Sequence, residues 1–127
     1  MRHRMIGRKL NRPPAERLRL LRSLMGALIR YERITTTEAR AKELRRHIER
    51  LITTARRGDV HSRRLALARL PDPPAVAKLF HVVAPRYANR PGGYTRLTRV
   101  GLRKGDGAQL VQIELLDRDT PAEAASA

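Results

Sequence analysis

A chain of 127 residues, 41% of them hydrophobic, is long enough for one domain with an ordinary core. The absence of cysteine excludes a disulfide scaffold, a thiolate zinc site and cysteine nucleophiles, and no apolar run reaches the ~18 residues of a membrane span. The net charge of +16 makes a compact domain repel itself unless a polyanion neutralises it. We therefore expect a protein that binds nucleic acid. The alternatives are a soluble protein whose basic surface faces only solvent and, less favoured, a protein that binds a membrane surface.

The first twelve residues, MRHRMIGRKLNR, form an arm with five cationic side chains and no acid. Ordering a backbone costs ~1–2 kcal/mol per residue, and the few apolar side chains of this segment cannot offset that cost. Contacts with phosphates and the release of counterions can. We therefore expect residues 1–12 to be disordered in the free protein and ordered in a groove of nucleic acid. A solubilising tail is the alternative.

The first predicted elements are an amphipathic helix and a short strand. Apolar residues recur at helical spacing between Pro14 and Tyr31, which predicts a helix with proline in its first turn. Its apolar stripe comprises Leu18, Leu21, Met25, Leu28 and Ile29. Gly26 indicates either a close contact with another helix or only a small cost in helix stability. The β-branched cluster after the helix predicts a brief strand around Arg33–Thr35.

The clearest element is a helix of about twenty residues between Thr37 and Gly58, with an apolar stripe along one side. The stripe comprises Ala41, Leu44, Ile48, Leu51, Ile52 and Ala55. Thr37 alone, or Thr35 together with Glu38, is expected to cap its N-terminus. Gly58 is expected to end it.

The second half of the chain predicts two shorter helices and a β-hairpin. DVHSRRLALARLP is typical of a helix that stops at Pro71, and Asp72 is expected to cap another that begins with Pro73 and ends at Pro85. YTRLTRVG and QLVQIELL are typical of antiparallel strands joined by a tight turn at GDG. Residues 118–127 are polar and Ala-rich, and we expect a disordered tail.

This order of elements predicts an α+β domain over residues 13–117, preceded by the arm. We expect two layers, in which the helices pack on one face of a small, mainly antiparallel, three-stranded sheet. No internal repeat occurs in the sequence.

The sequence does not indicate an enzyme. Its four histidines form no metal-binding pair, and no phosphate-binding glycine motif occurs. Most acids have a base at helical spacing, such as Glu38 with Lys42 and Glu43 with Arg46 or His47, so no pair of carboxylates is left for acid–base chemistry. We expect no metal, no cofactor and no small-molecule substrate.

Basic clusters beyond the arm are candidates for contact with nucleic acid. The polar faces of the long helix carry Lys42 and Arg45 among other bases, although a solvated, salt-bridged face is an equal alternative. The HSRR segment places Arg63 and Arg64 beside His61 at the start of a helix, where backbone N–H groups favour phosphate.

The segment RPGGYTR is another candidate. Gly92 and Gly93 allow a backbone to approach a phosphate closely between Arg90 and Arg96, and Tyr94 offers a stacking face. The alternative is a turn into a strand with Tyr94 in the core, and both can hold. Because aromatic residues make up only 3% of the chain, we expect recognition of the shape and phosphates of folded RNA rather than base stacking. A duplex-DNA architectural protein and an RNA-acting enzyme are the alternatives.

Four separated motifs, in this order, resemble the bacterial large-subunit ribosomal protein L17 family from residue 1 to about 117. They are MRHRMIGRKLNR, ERITTTEARAKELR, RRLALARL and APRYANRPGGYTRLTRVGLRKGDGAQLVQIELLD. The resemblance implies a small, non-enzymatic α/β protein of the cytoplasmic ribosome. It further implies binding to large-subunit rRNA near the polypeptide exit tunnel, beside neighbours such as ribosomal protein thirty-two.

The resemblance also implies which residues contact rRNA. The arm would insert between rRNA helices through Arg2, His3, Arg4, Arg8, Lys9 and Arg12. The central motif contributes Thr36, Thr37 and Lys42, and the C-terminal motif contributes Gly92, Gly93, Tyr94, Thr95 and Arg96. Two departures put contacts in doubt: Met5 stands where the family usually has a base, and the PPAE segment before the first helix replaces a run with hydroxyl and imidazole groups.

Overall fold

The computed structural model describes Leu10 and residues 12–117. The predictions for most of the arm and for the tail over 118–127 lie outside these residues. The elements in chain order are helix α1 (Pro14–Tyr31), strand β1 (Arg33–Thr37), helix α2 (Glu38–Ala55), helix α3 (Val60–Arg69), helix α4 (Pro73–Lys78), a π-helical turn (Leu79–Val83), helix α5 (Ala84–Arg86), strand β2 (Thr95–Leu102) and strand β3 (Gln109–Leu115).

The three strands form one antiparallel sheet in the order β1-β3-β2. Val111, Ile113 and Leu115 of the central strand are buried against the helices, as their period-two spacing predicted. Strand β1 extends to Thr37 rather than Thr35, because its pairing with β3 continues to Leu110. The predicted α+β fold, with helices on a three-stranded sheet, is confirmed.

Helices α1 and α2 supply much of the core. Every residue of the apolar stripe predicted for α2 is buried. In α1, Leu21, Met25, Leu28 and Ile29 are buried, whereas Leu18 remains 44% exposed. Because burying a side chain of this size stabilises a fold by roughly 1.5–3 kcal/mol, these stripes account for the packing of the helical layer on the sheet.

The two ends of α2 are fixed differently. Thr37 occupies the N-cap position, but its side chain makes no capping hydrogen bond, so the predicted hydroxyl cap is wrong. Because Thr37 also pairs with Leu110 as the last residue of β1, the sheet holds the chain at this end. At the other end α2 stops at Ala55, and Gly58 has the left-handed conformation (φ +73°) expected of a helix stop.

The helical segment after Asp72 is longer than predicted. Asp72 caps α4 by accepting a hydrogen bond from the N–H of Ala75 at 3.4 Å, as expected. The prediction that Pro85 ends the helix is wrong, because Pro85 lies inside α5. In an α-helix a proline ring clashes with the carbonyl four residues earlier, and the wider π-helical turn directly before α5 relieves this clash.

Helix α4 lies close to α1. A Cβ atom added at Gly26 would lie 3.2 Å from Asp72 Oδ2, so the predicted close contact at this glycine is confirmed. Arg30 Nη2, one turn later in α1, lies 2.5 Å from the same carboxylate oxygen. The carboxylate that caps α4 therefore also ties α4 to α1.

Glu32 connects α1 to β1 and binds two cations. Its Oε1 accepts a hydrogen bond from Arg86 Nη1 at 2.5 Å, and its Oε2 lies 3.3 Å from Lys78 Nζ. Burial raises the pKa of Glu32, but the hydrogen bond and charge of Arg86, with the charge of Lys78, outweigh burial and lower the pKa below its ordinary value. Charge thus fixes α4 and α5 to the end of α1.

Candidate nucleic-acid interface

The exposed face of α2 is laced with ion pairs. Lys42 Nζ lies 2.8 Å from Glu38 Oε1, and Arg45 Nε lies 3.5 Å from Glu49 Oε2. Buried Glu43 accepts one hydrogen bond from Arg46 Nη2 at 2.9 Å and pairs with His47, as the helical spacing predicted. The two exposed pairs, those of Lys42 and Arg45, contribute about 0.3–0.5 kcal/mol each, so these two bases can exchange a carboxylate for a phosphate at small cost.

A second group of bases is exposed and forms no ion pair within the part of the chain that the structure describes. We call this group the unpaired bases: Arg19, Arg50, Arg57, Arg64, Arg69, Arg99 and Lys104. They lie on helices α1, α2 and α3, on strand β2 and on the two connecting loops. The unneutralised positive charge is therefore spread over several faces rather than concentrated in one groove.

The N-terminus of α3 holds the predicted HSRR cluster. His61 and Arg64 are exposed, while the Arg63 guanidinium lies 5.7 Å from the centre of the Phe80 ring in a cation–π contact. Asp59 already occupies part of the anion site expected here, since its Oδ1 accepts the Ser62 N–H at 2.7 Å. Hydrogen bonds from Ser62 lower the pKa of Asp59, so an incoming phosphate meets an ionised carboxylate as well as Arg64.

The tyrosine of the RPGGYTR loop, Tyr94, lies in the core and not on the surface. Tyr94 is 0% exposed and packs against Tyr87, with ring centroids 5.0 Å apart. Because neither face of the ring reaches solvent, Tyr94 is not a stacking surface for a base, and the alternative of a core tyrosine is confirmed. Gly92 and Gly93 are exposed.

Buried Tyr94 positions this loop on the C-terminal end of α2. The Tyr94 hydroxyl lies 3.1 Å from Thr53 Oγ1 and 3.3 Å from Arg56 Nη1. Arg56 also donates to the carbonyl oxygen of Ala88 at 3.0 Å. Arg90 ties the loop to the end of the described chain, because its Nη2 lies 3.1 Å from Asp117 Oδ2.

Strand β2 carries the last predicted contact residue. The Nε and Nη2 atoms of Arg96 donate to Glu114 Oε1 at 2.9 and 2.8 Å, and Arg33 Nε lies 3.6 Å from the other carboxylate oxygen. Glu114 is only 8% exposed, because these two arginines cover it. Two cations on one carboxylate leave a net positive charge on this face of the sheet.

The central-motif residues lie where β1 passes into α2. Thr36 and Thr37 end the strand and are half-buried. Lys42 lines a small cleft of about 140 Å³ together with Arg99, a base that sequence reasoning did not select. Lys42 precedes Thr53 by about three helical turns, or ~16 Å along the axis of α2. The predicted residues therefore form separate patches along α2 rather than one site.

Sequence reasoning also missed a larger cleft, of about 320 Å³, between α1, α2 and α3. Arg22, Arg50 and Arg69 lie at its rim. The sequence indicated one side of this cleft, because Leu18, Arg22 and Met25 share one face of α1. The residues that α3 contributes could not be predicted, because they depend on how the helices pack in the tertiary fold.

Of the predicted arm contacts, only Arg12 belongs to the described residues, and it lies two residues before α1. Arg2, His3, Arg4, Arg8 and Lys9 lie outside them. Within residues 12–117, no group of three or more histidines and acids is placed to hold a metal ion. No helix in the same range is long and apolar enough to cross a membrane.

The two-layer fold and its dispersed arginines define a compact basic protein suited to a polyanion that contacts several of its faces. Comparison with known proteins identifies the family. The sequence model described as ribosomal protein L17 matches residues 20–116, and the chain belongs to this ribosomal protein family.

Two curated relatives extend this match over most of the chain. The large ribosomal subunit protein bL17 of Sphingopyxis alaskensis is 50% identical over 123 residues, which is 97% of this chain and 88% of the relative. The protein of the same name from Syntrophotalea carbinolica is 48% identical over 119 residues, 94% of this chain and 77% of the relative.

Proposed function

We propose that this protein is a structural constituent of the large ribosomal subunit that binds and stabilises folded rRNA. The observation that carries the proposal is a net charge of +16 on a member of a ribosomal protein family, with the unpaired bases spread over several faces. A surplus of this size favours a polyanion as partner. The names of the relatives indicate the large subunit as the particle.

Recognition proceeds through phosphates and RNA shape. The planar guanidinium group makes bidentate phosphate contacts, and arginine dominates the basic residues of this chain. With Tyr87 and Tyr94 in the core, two of the few aromatic rings are unavailable for base stacking. Lys42, Arg45 and Arg96, although paired within the protein, are exposed and can add phosphate contacts.

The arm, with Arg12 at its junction to α1, is proposed to contact the phosphates of neighbouring rRNA helices. Removing residues 1–12 deletes five bases and no acid. We expect the truncated protein to keep the urea midpoint of the full chain while its affinity for large-subunit rRNA falls and its salt dependence weakens. If the truncated domain unfolds instead, the arm is part of the fold and this assignment is wrong.

The position in the particle rests on the resemblance of the motifs. We place the protein near the polypeptide exit tunnel, beside ribosomal protein thirty-two, in the ribosomes of the cytoplasm, and assign it no reaction and no cofactor. A map of RNA–protein and protein–protein crosslinks on intact large subunits tests this placement. Crosslinks confined to regions remote from the tunnel exit contradict it.

Two experiments test the function itself. The protein is expected to copurify with large subunits through high-salt washes, and its presence only in the free pool contradicts the proposal. In a competition between folded rRNA and duplex DNA over a range of salt concentrations, rRNA is expected to win. A preference for DNA supports an architectural DNA-binding protein instead.

A further inference from the structure

The cleft between α1, α2 and α3 combines an apolar floor with a cationic rim. Met25 and Leu51 are the buried apolar residues of its lining, while Leu18 of α1 and Ala68 of α3 are the exposed ones. Among the described residues, no aspartate or glutamate lines it. A cavity with an apolar interior and a purely cationic entrance is suited to a ligand that is flat and apolar at one end and anionic at the other.

The cationic rim is partly fixed before any ligand binds. Arg22 Nε donates to the carbonyl oxygen of Arg69 at 3.2 Å, and its Nη2 donates to that of Ala68 at 3.4 Å. These carbonyls lie at the C-terminal end of α3, where backbone acceptors lack helical partners. Arg22 therefore presents a guanidinium plane in a set orientation, at little further entropic cost.

The other two arginines of the rim remain available. Arg50 and Arg69 are among the unpaired bases, so a phosphate can bind them without displacing a carboxylate of the described chain. His47 also lines the cleft, but its Nε2 already lies 3.2 Å from Glu43 Oε1. The phosphate position is therefore expected between Arg50 and Arg69.

We propose that this cleft binds a single unstacked nucleotide of rRNA, an inference that rests on the proposed function. The base enters between Leu18 and Ala68 and stacks on the Arg22 guanidinium, and its phosphate contacts Arg50 and Arg69. Unstacked bases in RNA loops are commonly held on arginine planes and apolar side chains. The volume of about 320 Å³ is at the small end of the range for ligand sites, which suits one nucleotide and excludes a duplex.

The neighbouring small cleft provides a contrast. It is less than half as large, at about 140 Å³, and Glu38 lines it beside Lys42 and Arg99. A phosphate there would meet a carboxylate as well as two cations. Charge and volume therefore both favour the larger cleft as the nucleotide site.

The test is to fill the cleft without changing its charge. Ala68→Leu places an isobutyl group at its exposed wall, and Ser23→Leu places the same group on the opposite side of α1 as a control. We expect Ala68→Leu to weaken the binding of the full chain to folded large-subunit rRNA by about tenfold in filter-binding assays, because the base can no longer enter the cleft and stack there. Its salt slope should stay within one unit of the wild-type slope, and Ser23→Leu should match wild type.

Arg50→Gln supplies a second variant with a different signature. It is expected to weaken binding and to reduce the magnitude of the salt slope by about one, as the loss of one phosphate contact requires. If thermal melting shows that Ala68→Leu is unfolded, Leu18→Gln replaces it, because Leu18 lines the same cleft and is already 44% exposed.

Equal rRNA affinity for Ala68→Leu and Ser23→Leu overturns the nucleotide site while leaving the proposed function intact. Failure of the wild-type chain to bind rRNA rejects the proposed function itself. A photocrosslinking experiment with 4-thiouridine and 6-thioguanosine in rRNA gives an independent result. Crosslinks to peptides containing Met25 or Ala68 support the site, whereas crosslinks confined to other peptides of the protein overturn it.

Discussion

Arginine has two different roles in this molecule, and two regions show the contrast. The Arg86 side chain is only 6% exposed and its Nη1 lies 2.5 Å from Glu32 Oε1, so Glu32 neutralises its charge within the fold. The unpaired bases are exposed and meet no acid among the described residues. Net charge therefore overstates the cations available to a partner, because a buried, paired arginine such as Arg86 is held within the fold. An unpaired exposed base is available at once, whereas an exposed paired base must first leave its carboxylate.

The largest expected effect comes from neutralising unpaired bases outside the cleft. Replacing Arg19, Arg57, Arg64 and Arg99 with Gln should reduce the magnitude of the slope of log affinity against log salt by about 3–4, at ~0.9 per phosphate contact. Stability should change little, since surface substitutions are usually within about ±0.5 kcal/mol each. Filter binding and urea denaturation measure the two effects.

A matched control removes the same charge from paired positions: Arg30, Arg33, Arg46 and Arg103. This variant should lose stability and change the salt slope less. Equal slopes for the two variants contradict the division of arginines into two roles.

The next effect concerns the region around Glu32. Arg86→Met removes the closest cation from a half-buried carboxylate and leaves Lys78 as its remaining cation, so the fold should be destabilised by about 2 kcal/mol, the scale of one hydrogen bond to a charged group. The double variant Glu32→Gln, Arg86→Met should recover part of this loss, as both charges are gone. A change below about 1 kcal/mol for Arg86→Met in urea denaturation shows that the pair is not structural.

A smaller effect separates the core role of Tyr94 from a stacking role. Tyr94→Phe removes the hydroxyl that contacts Thr53 and Arg56 and should cost about 1 kcal/mol of stability. Tyr31→Phe is the control, because Tyr31 is 66% exposed. RNA affinity should be unchanged in both variants under folding conditions. A loss of affinity without a loss of stability in Tyr94→Phe argues for direct contact with RNA.

The smallest effect is a pH dependence from Glu32. Its pKa is lower in the folded state than the ordinary value of 4.5, so the folded state holds the proton less tightly than the unfolded chain. The resulting stabilisation is complete above the ordinary pKa and is lost as pH falls through the lowered one. In urea denaturation between pH 6 and pH 3, Glu32→Gln should show a shallower decline than wild type; parallel declines contradict the assignment.

Local sequence patterns predicted the elements well where one feature determined the outcome. Apolar spacing and a proline start gave α1 its observed bounds, Pro14–Tyr31, and the Gly58 stop follows from its left-handed backbone. The end at Pro85 was predicted wrongly, because proline usually breaks a regular α-helix and the π-helical turn before it depends on the surrounding packing.

The interface was less predictable, because charge pairing across the chain is a tertiary property. The segment RPGGYTR left Tyr94 open between core and surface, and its contacts with Thr53 and Arg56 on α2 decide for the core. The large cleft needs walls from three helices, including Ala68 of α3. The periodicity of apolar residues predicted the helices, but it did not indicate which of them would pack against one another.

The salt dependence of rRNA binding tests the central claim most directly, namely that the surplus charge of this protein is neutralised by RNA phosphates. If six to ten phosphates are contacted, the affinity of the full chain for folded large-subunit rRNA should fall by roughly 10³–10⁵ between 50 and 200 mM salt. An affinity that stays constant over this range contradicts the account.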